Sequence, residues 1–258
     1  MDFELLVIDL DNTVYRADSG VFARMDARMT AFVARELGVD EDTANELRLR
    51  YWRQYGTTLR GLMLHHGLEP EPFLREVHDI DIAAMLAPDP ALDAALARLP
   101  GRKVIHTNGI REHAERVLAA LGVARHFDAI HDIRFHDYRP KPCADTLAKL
   151  IAHEGARPAG TLVVDDMEDN LAAARRAGAR TALIAPKPPR EHWDFHAATL
   201  PELAARLNAA APEENARGAA LAANEASVVA SACGAARMAA AGARPVEESP
   251  GCTGQDAG

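Results

Sequence analysis

Cysteine is scarce in this 258-residue chain, and the three that occur, Cys143, Cys233 and Cys252, are unevenly spaced. Such a set supports neither a disulfide framework nor a zinc site, both of which need cysteines at short recurring intervals. Basic residues are also in deficit, 29 Lys and Arg against 38 Asp and Glu, for a formal net charge of -9. Nucleic acid and anionic membranes are therefore not expected as partners, because binding a polyphosphate surface needs clustered positive charge. A small anionic substrate stays compatible, since only the field at its own site matters. No apolar run approaches the roughly 20 residues of a membrane-spanning helix. The opening Met1-Asp2-Phe3-Glu4 lacks the basic stretch that precedes a secretory hydrophobic region. The expectation is a cytoplasmic protein, monomer or homodimer, with a sizeable core at 48% hydrophobic residues.

What the chain does have is a series of short apolar runs that end in polar, chemically capable residues. Leu5-Leu6-Val7-Ile8 runs into Asp9-Leu10-Asp11-Asn12, and Lys103 to Thr107 runs into Asn108-Gly109. Asp128 to Ile133 and Thr161 to Val164 follow, the latter ending in Asp165-Asp166, and Thr181 to Ile184 closes the set. Each reads as a strand buried on both faces. Between them, Arg111 to Leu121 and Leu171 to Ala177 have helical periodicity and stop at Gly122 and Gly178. Strands alternating with helices of this length predict a Rossmann-like α/β core, a parallel sheet with helices on both faces.

One interval breaks the alternation. From Tyr15 to Met85 the pattern is helical, with helices from Ser19 or Asp26 to Leu37, Asp40 to Tyr55, Thr57 to His66, and one starting near Pro70. Some 70 residues is too long for a simple crossover, so the predicted architecture has an all-helical cap inserted after the first strand. The expected boundaries are 1–14 and 86–210 for the core and 15–85 for the cap. Asp89-Pro90 restarts the core as N-cap and first helical residue. Residues 200–209 read as the last ordered helix, and 211–258, rich in Ala, Gly, Glu and Pro, as a disordered tail.

In parallel sheets of this kind the ligand sits at the carboxyl ends of the strands, and there Asp9, Asp11, Asp165 and Asp166 converge. Two carboxylates about 4 Å apart repel by about 4 kcal/mol at an effective dielectric near 20. Either some of them stay protonated or a cation neutralises them. An all-oxygen set favours Mg2+, which takes one or two protein carboxylates together with substrate phosphate oxygen. Thr107, Asn108 and Lys141, the last between Pro140 and Pro142, offer donors to phosphate oxygens. A carboxylate at a strand end, as Asp9 is, can serve as a covalent nucleophile toward phosphorus.

These residues closely resemble the motifs of the haloacid-dehalogenase-like hydrolase superfamily: Asp9-Leu10-Asp11-Asn12-Thr13, then Thr107-Asn108, then Lys141, then Asp165-Asp166 with Asn170, in that order along the first 185 residues. The resemblance implies Asp9 as nucleophile and magnesium ligand, and Asp11 as general acid and then base, its carbonyl also reaching the metal. It implies that Thr107, Asn108 and Lys141 bind the phosphoryl group, and that Asp166 ligates magnesium with Asp165 and Asn170 in support. Members that release halide lack the second aspartate, so Asp11 points to phosphate-ester hydrolysis through an aspartyl-phosphate; a phosphate-returning mutase is the neighbouring alternative.

The stretches Asp11-Asn12-Thr13-Val14-Tyr15, Tyr55-Gly56-Thr57-Thr58-Leu59-Arg60-Gly61-Leu62 and Arg139-Pro140-Lys141-Pro142 are similar to the pyrimidine 5'-nucleotidase branch. That similarity implies a nucleoside monophosphate substrate, UMP or CMP, with Asn12, Tyr15, Tyr55 and Arg60 as candidates for specificity. The same residues have blander readings: an Asx turn at Asn12, packing at Tyr15 and Tyr55, an ion pair at Arg60. His65, His66, His131 and His136 read as ordinary histidines, and Phe22 and Trp52 as cap core. Other small phosphate esters (a sugar phosphate, phosphoglycolate, nicotinamide mononucleotide) and a non-catalytic phosphate-binding module are the alternatives.

Overall fold

Side chains alternate across a strand, so an unbroken apolar tetrapeptide is comfortable only when both faces are covered. In the computed structural model, which describes residues 3–209, Leu5–Ile8 forms strand β1 with every residue buried. Leu5 and Val7 pack on one side with Val163, Leu147 and Leu171, while Leu6 and Ile8 pack on the other with Leu92, Leu96 and Leu118. The other strands are β2 (Arg102–His106), β3 (Ala129–His131), β4 (Thr161–Asp165), β5 (Arg180–Ile184) and β6 (Phe195–Ala197). All neighbouring pairs are parallel, in the order β3-β2-β1-β4-β5-β6. The fold is the expected Rossmann-like α/β sheet with an inserted helical segment.

From β1 the chain adds β2 and β3 on one side, then crosses to place β4 on the other, so the order reverses beside β1. That reversal opens a crevice above the carboxyl ends of β1 and β4, the place where such sheets bind ligands. Ile8 is in register with both Ile105 and Val164, which brings the residues that follow the three strands to one level.

The sheet differs from expectation at two strands. The sheet does not close at Ile184: Phe195–Ala197 pairs with β5 as a sixth strand. It is only three residues long and mixes polar with apolar, so it carries no periodic signal. The predicted strand over 128–133 shrinks to 129–131, because the Asp132 carboxylate accepts hydrogen bonds from the N–H groups of Arg134 and Phe135 and caps a 3-10 turn instead.

The inserted helices are α1 (Val21–Leu37), α2 (Glu41–Tyr55), α3 (Thr58–His66) and α4 (Pro70–Val77). Asp40 and Thr57 cap α2 and α3 through their side chains, and Gly38, Gly56 and Gly67 end α1 to α3 in the left-handed region. Their shared core includes Phe32, Tyr51, Leu62, Phe73 and Leu74 and takes in Ile110 and Ile133 from the sheet's loops. Phe22 and Trp52, expected in that core, are 36% and 44% exposed. Each sits one residue past the buried stripe, Val21-Met25-Phe32 on α1 and Ala44-Arg48-Tyr51 on α2, and a step of one residue rotates a side chain about 100° away.

The sheet is flanked by α5 (Pro90–Arg98), α6 (Arg111–Leu121) and the helix over 200–209 on one face, and by α7 (Ala144–His153) and α8 (Glu168–Arg176) on the other. The expected tail at 211–258 lies outside the described residues. Among those residues no helix is long and apolar enough to cross a membrane.

Candidate active site

The loops leaving β1 and β4 carry the acidic residues. Asp9 is fixed first through its backbone, its N–H donating to the Val164 carbonyl at 2.9 Å. Carboxylate oxygens of Asp9, Asp165 and Asp166 lie within 4.8 Å of one another, and this is the one such grouping of His, Cys, Asp and Glu among the described residues. The Asp11 carboxylate is not part of it.

Asp165 is buried and fully engaged: Oδ1 accepts from the Met167 N–H at 2.9 Å and from Asn170 Nδ2 at 2.8 Å, and Oδ2 accepts from Lys141 Nζ at 3.0 Å. Lys141 Nζ also donates to Asp9 Oδ1 at 2.5 Å. Burial alone would weaken the ammonium's hold on its proton, but Asp165 and Asp9 outweigh it and keep Lys141 charged. One ammonium faces three carboxyls, which cannot all ionise at low cost without further positive charge. Burial pushes the Asp9 carboxyl well above its ordinary range, with Asp165, Asp166 and Asp11 adding to the rise against Lys141. Burial and then the charge of Asp165 push Asp166 up to about 7.

Lys141 is held by the neighbouring motif. Asn108 brackets its peptide, Oδ1 accepting from the Lys141 N–H at 2.8 Å and Nδ2 donating to the Lys141 carbonyl at 3.3 Å. The Asn108 amide is therefore spent on the Lys141 loop, and its backbone N–H is the group left for a ligand. Thr107 Oγ1 accepts from the Gly109 N–H at 2.9 Å, which leaves the hydroxyl proton free to be donated. Against the same loop sits Gly56, at φ 86°, where an added Cβ would lie 2.7 Å from the Lys141 carbonyl oxygen. The end of α2 thus rests on the lysine loop.

Asp11 has different company. Tyr15 Oη donates to its Oδ1 at 2.6 Å, and His113 Nε2 stands 3.0 Å from the same oxygen. Burial would raise the Asp11 carboxyl, but His113, with help from Tyr15, outweighs it and holds it below the usual carboxylate range. His113 is wholly buried on α6, against the ring of His78 at 5.0 Å between centroids. Burial pushes His78 down to about 4, and its Nδ1 bonds the Leu74 carbonyl at 2.7 Å.

His113 was not among the sequence candidates. Its signal was there to read: positions 113, 117 and 121 lie on the apolar stripe of α6, so a histidine at 113 is a buried polar group that needs a partner.

Of the specificity candidates, Asn12 takes a left-handed turn at φ 64° beside Asp166. Asn12 and Tyr15 line, with Asp166, a cavity of about 700 Å³. Tyr55 does not line that cavity; its Oη pairs with His65 Nε2 at 2.6 Å, and Arg60 is half-buried. Of the other histidines read from the sequence, His66 meets Tyr51 at 2.8 Å and His131 meets Glu154 at 2.6 Å, while His136 packs on His106 with its Nε2 buried and without a partner among the described residues.

The family description of haloacid dehalogenase-like hydrolases matches residues 3–178 of this chain. A curated relative, Phosphate metabolism protein 8 of Saccharomyces cerevisiae, is 28% identical over 193 residues, 68% of this chain. The matched part is 59% of that protein's length. Among solved structures, a HAD phosphatase from Thermococcus onnurineus superposes with a TM-score of 0.56 at 20% identity, covering 80% of this chain and 98% of its own. An L-2-haloacid dehalogenase from Xanthobacter autotrophicus gives 0.53 at 20% identity with the same coverage. These two likenesses establish the fold and leave the chemistry to the residues.

Proposed function

Because the chain belongs to the haloacid dehalogenase-like hydrolase family, we propose that it is a magnesium-dependent phosphatase that uses Asp9 as nucleophile and acts on pyrimidine nucleoside 5'-monophosphates. The observation that carries the reading is the set of three carboxylates within 4.8 Å, with Lys141 on two of them and Asp11 placed apart on its own donors.

The donor set fits a hard divalent cation. It is all oxygen, it offers three carboxyls to one ammonium, and burial and then the charge of Asp165 raise Asp166 to about 7. Asp9 and Asp166 would hold the ion together with the Asp11 carbonyl, while Asp165, its oxygens already committed to Met167, Asn170 and Lys141, orients the lysine. Magnesium bound there supplies positive charge to the phosphoryl oxygens and lets the carboxylates coexist.

In this reading Asp9 attacks phosphorus as the ester oxygen leaves, forming an aspartyl-phosphate; Asp11 protonates that oxygen and then takes a proton from the water that cleaves the acyl phosphate. An arriving phosphoryl dianion raises the proton affinity of Asp11 by like-charge repulsion, which prepares it as an acid. Lys141, the Thr107 hydroxyl and the Asn108 N–H bind the equatorial oxygens, where the charge to be stabilised lies. Halide leaves without a proton and an alcohol does not, so a second aspartate supplied with its own hydrogen-bond partners favours a phosphate ester over a haloacid.

The helical segment 15–85 acts as the cap over the core 1–14 and 86–210, with Gly56 touching the lysine loop and Asn12, Tyr15, Tyr55 and Arg60 as the specificity candidates. The pyrimidine assignment rests on the likeness of those stretches to that branch. A panel of phosphate monoesters with magnesium, read by released phosphate, tests it. A tenfold or greater preference for UMP and CMP over purine monophosphates is expected. Equal rates on sugar phosphates would remove the nucleotide assignment, and no release from any ester would remove the phosphatase.

A further inference from the structure

Asp11 is the group on which the proposed proton transfers depend, and a carboxylate has two oxygens of which only one can lie against the leaving atom. The structure treats them unequally. Oδ1 receives both Tyr15 Oη, at 2.6 Å, and His113 Nε2, at 3.0 Å, whereas no bond to Oδ2 is formed among the described residues.

The tautomer of His113 follows from its surroundings. Its Nδ1 is buried without any partner. With the proton on Nε2, the imidazole donates to Asp11 and leaves one lone pair unmatched. With the proton on Nδ1, a buried donor goes unmet and a ring lone pair faces the carboxylate. The first arrangement costs less, since an orphaned buried donor carries the larger penalty. Tyr15 is a donor at any accessible pH, because burial and then the Asp11 charge push its hydroxyl up. The His78 ring packed against His113 at 5.0 Å limits how the imidazole can turn.

We infer that His113 and Tyr15 are positioning residues for Asp11: together they pin Oδ1 and leave Oδ2 as the oxygen that gives its proton to the departing ester oxygen and takes one from water. This rests on the reading of Asp11 as general acid and base. In the first step the Oδ2–H bond breaks as the leaving oxygen gains the proton, the P–O ester bond breaks and the Asp9–P bond forms. In the second, water loses a proton to Oδ2, its oxygen bonds phosphorus and the Asp9–P bond breaks, which restores the starting protonation. Oδ1 carries two donors throughout, so the carboxylate left after the first step is already stabilised, and the side chain does not rotate between steps.

The test uses the full chain with magnesium and compares kcat/KM on an alkyl phosphate, whose leaving group needs a proton, with p-nitrophenyl phosphate, whose leaving group does not. The variants are Tyr15→Phe, His113→Leu, His113→Gln and Asp11→Asn, each checked for folding by circular dichroism. General acid catalysis contributes roughly 10²- to 10⁴-fold, so loss of its alignment is expected to lower the alkyl rate in Tyr15→Phe and His113→Leu by about 10- to 100-fold, against less than about threefold on the aryl ester. KM stays within about threefold, and His113→Gln, which keeps a donor at the position of Nε2, recovers most of the loss. Equal losses on the two esters, or no loss on the alkyl ester while Asp11→Asn is dead, overturns the positioning role alone. An Asp11→Asn enzyme with undiminished alkyl hydrolysis, or a parent protein with no activity on either ester, overturns the reading beneath it.

Discussion

Asp166 offers a test in which a loss of function comes with a gain of stability. In the ion-free protein its carboxyl is raised to about 7, by burial first and by Asp165 next, from an ordinary 3.8. Between those two values the folded chain holds a proton that the unfolded chain has released. Ionisation of Asp166 therefore costs the fold nothing below pH 3.8, and the cost grows as pH rises through the window and is complete above 7. The shift corresponds to about 2–4 kcal/mol against the folded state at pH 8. Asp166→Asn keeps the shape and cannot ionise. Urea unfolding in EDTA should show variant and parent equally stable near pH 4 and the variant ahead by about 2–4 kcal/mol at pH 8. The buried histidines His78 and His136, each pushed down to about 4, act in the opposite sense: the unfolded chain takes up their protons first as pH falls below about 6.5, so stability declines toward pH 4. They are common to both proteins and cancel in the difference. Magnesium at about 100 times its dissociation constant should then add about 2.7 kcal/mol to the parent and little to the variant. A variant no more stable than the parent at pH 8 in EDTA, or one stabilised by magnesium as much as the parent, would refute the picture of a charge-starved cation site.

Asp9→Asn should lower phosphate release by on the order of 10³-fold or more with an unchanged far-ultraviolet spectrum, and residual turnover near the parent's would remove Asp9 as nucleophile. Gly56→Ala and Gly38→Ala separate backbone strain from contact with the lysine loop. Both glycines are left-handed, but a Cβ at 56 meets the Lys141 carbonyl at 2.7 Å while one at 38 meets nothing within 4 Å. Each should cost about 1–2 kcal/mol of stability from the backbone alone, and only Gly56→Ala should also lower kcat. Equal activity in the two variants would mean that the end of α2 does not set the position of Lys141.

What could be read in advance followed from periodicity and punctuation. Five of the six strands announce themselves as apolar runs, and the glycines after α1, α2, α3 and α6 mark their ends because a left-handed residue there is cheapest without a Cβ. β6 is invisible on the same grounds, since Phe195-His196-Ala197 has neither length nor pattern and is a strand only because β5 offers it an edge. The acidic residues could be assigned to one end of the sheet from topology, while their division of labour came only from the family resemblance. Asp165 and Asp166 are adjacent and chemically identical, and only packing shows that one is saturated by Met167, Asn170 and Lys141 while the other keeps a raised carboxyl. The same holds for Asn108, whose amide is consumed by Lys141, and for Tyr15, whose hydroxyl goes to Asp11. His113 is the sharpest case: 102 residues separate it from Asp11, and no local pattern links them. A buried stripe with one polar member nonetheless demands a partner from elsewhere. At the carboxyl end of this sheet the unmet demand is the negative charge of Asp11, so the position of a histidine on α6 and the second aspartate after β1 constrain each other through the fold.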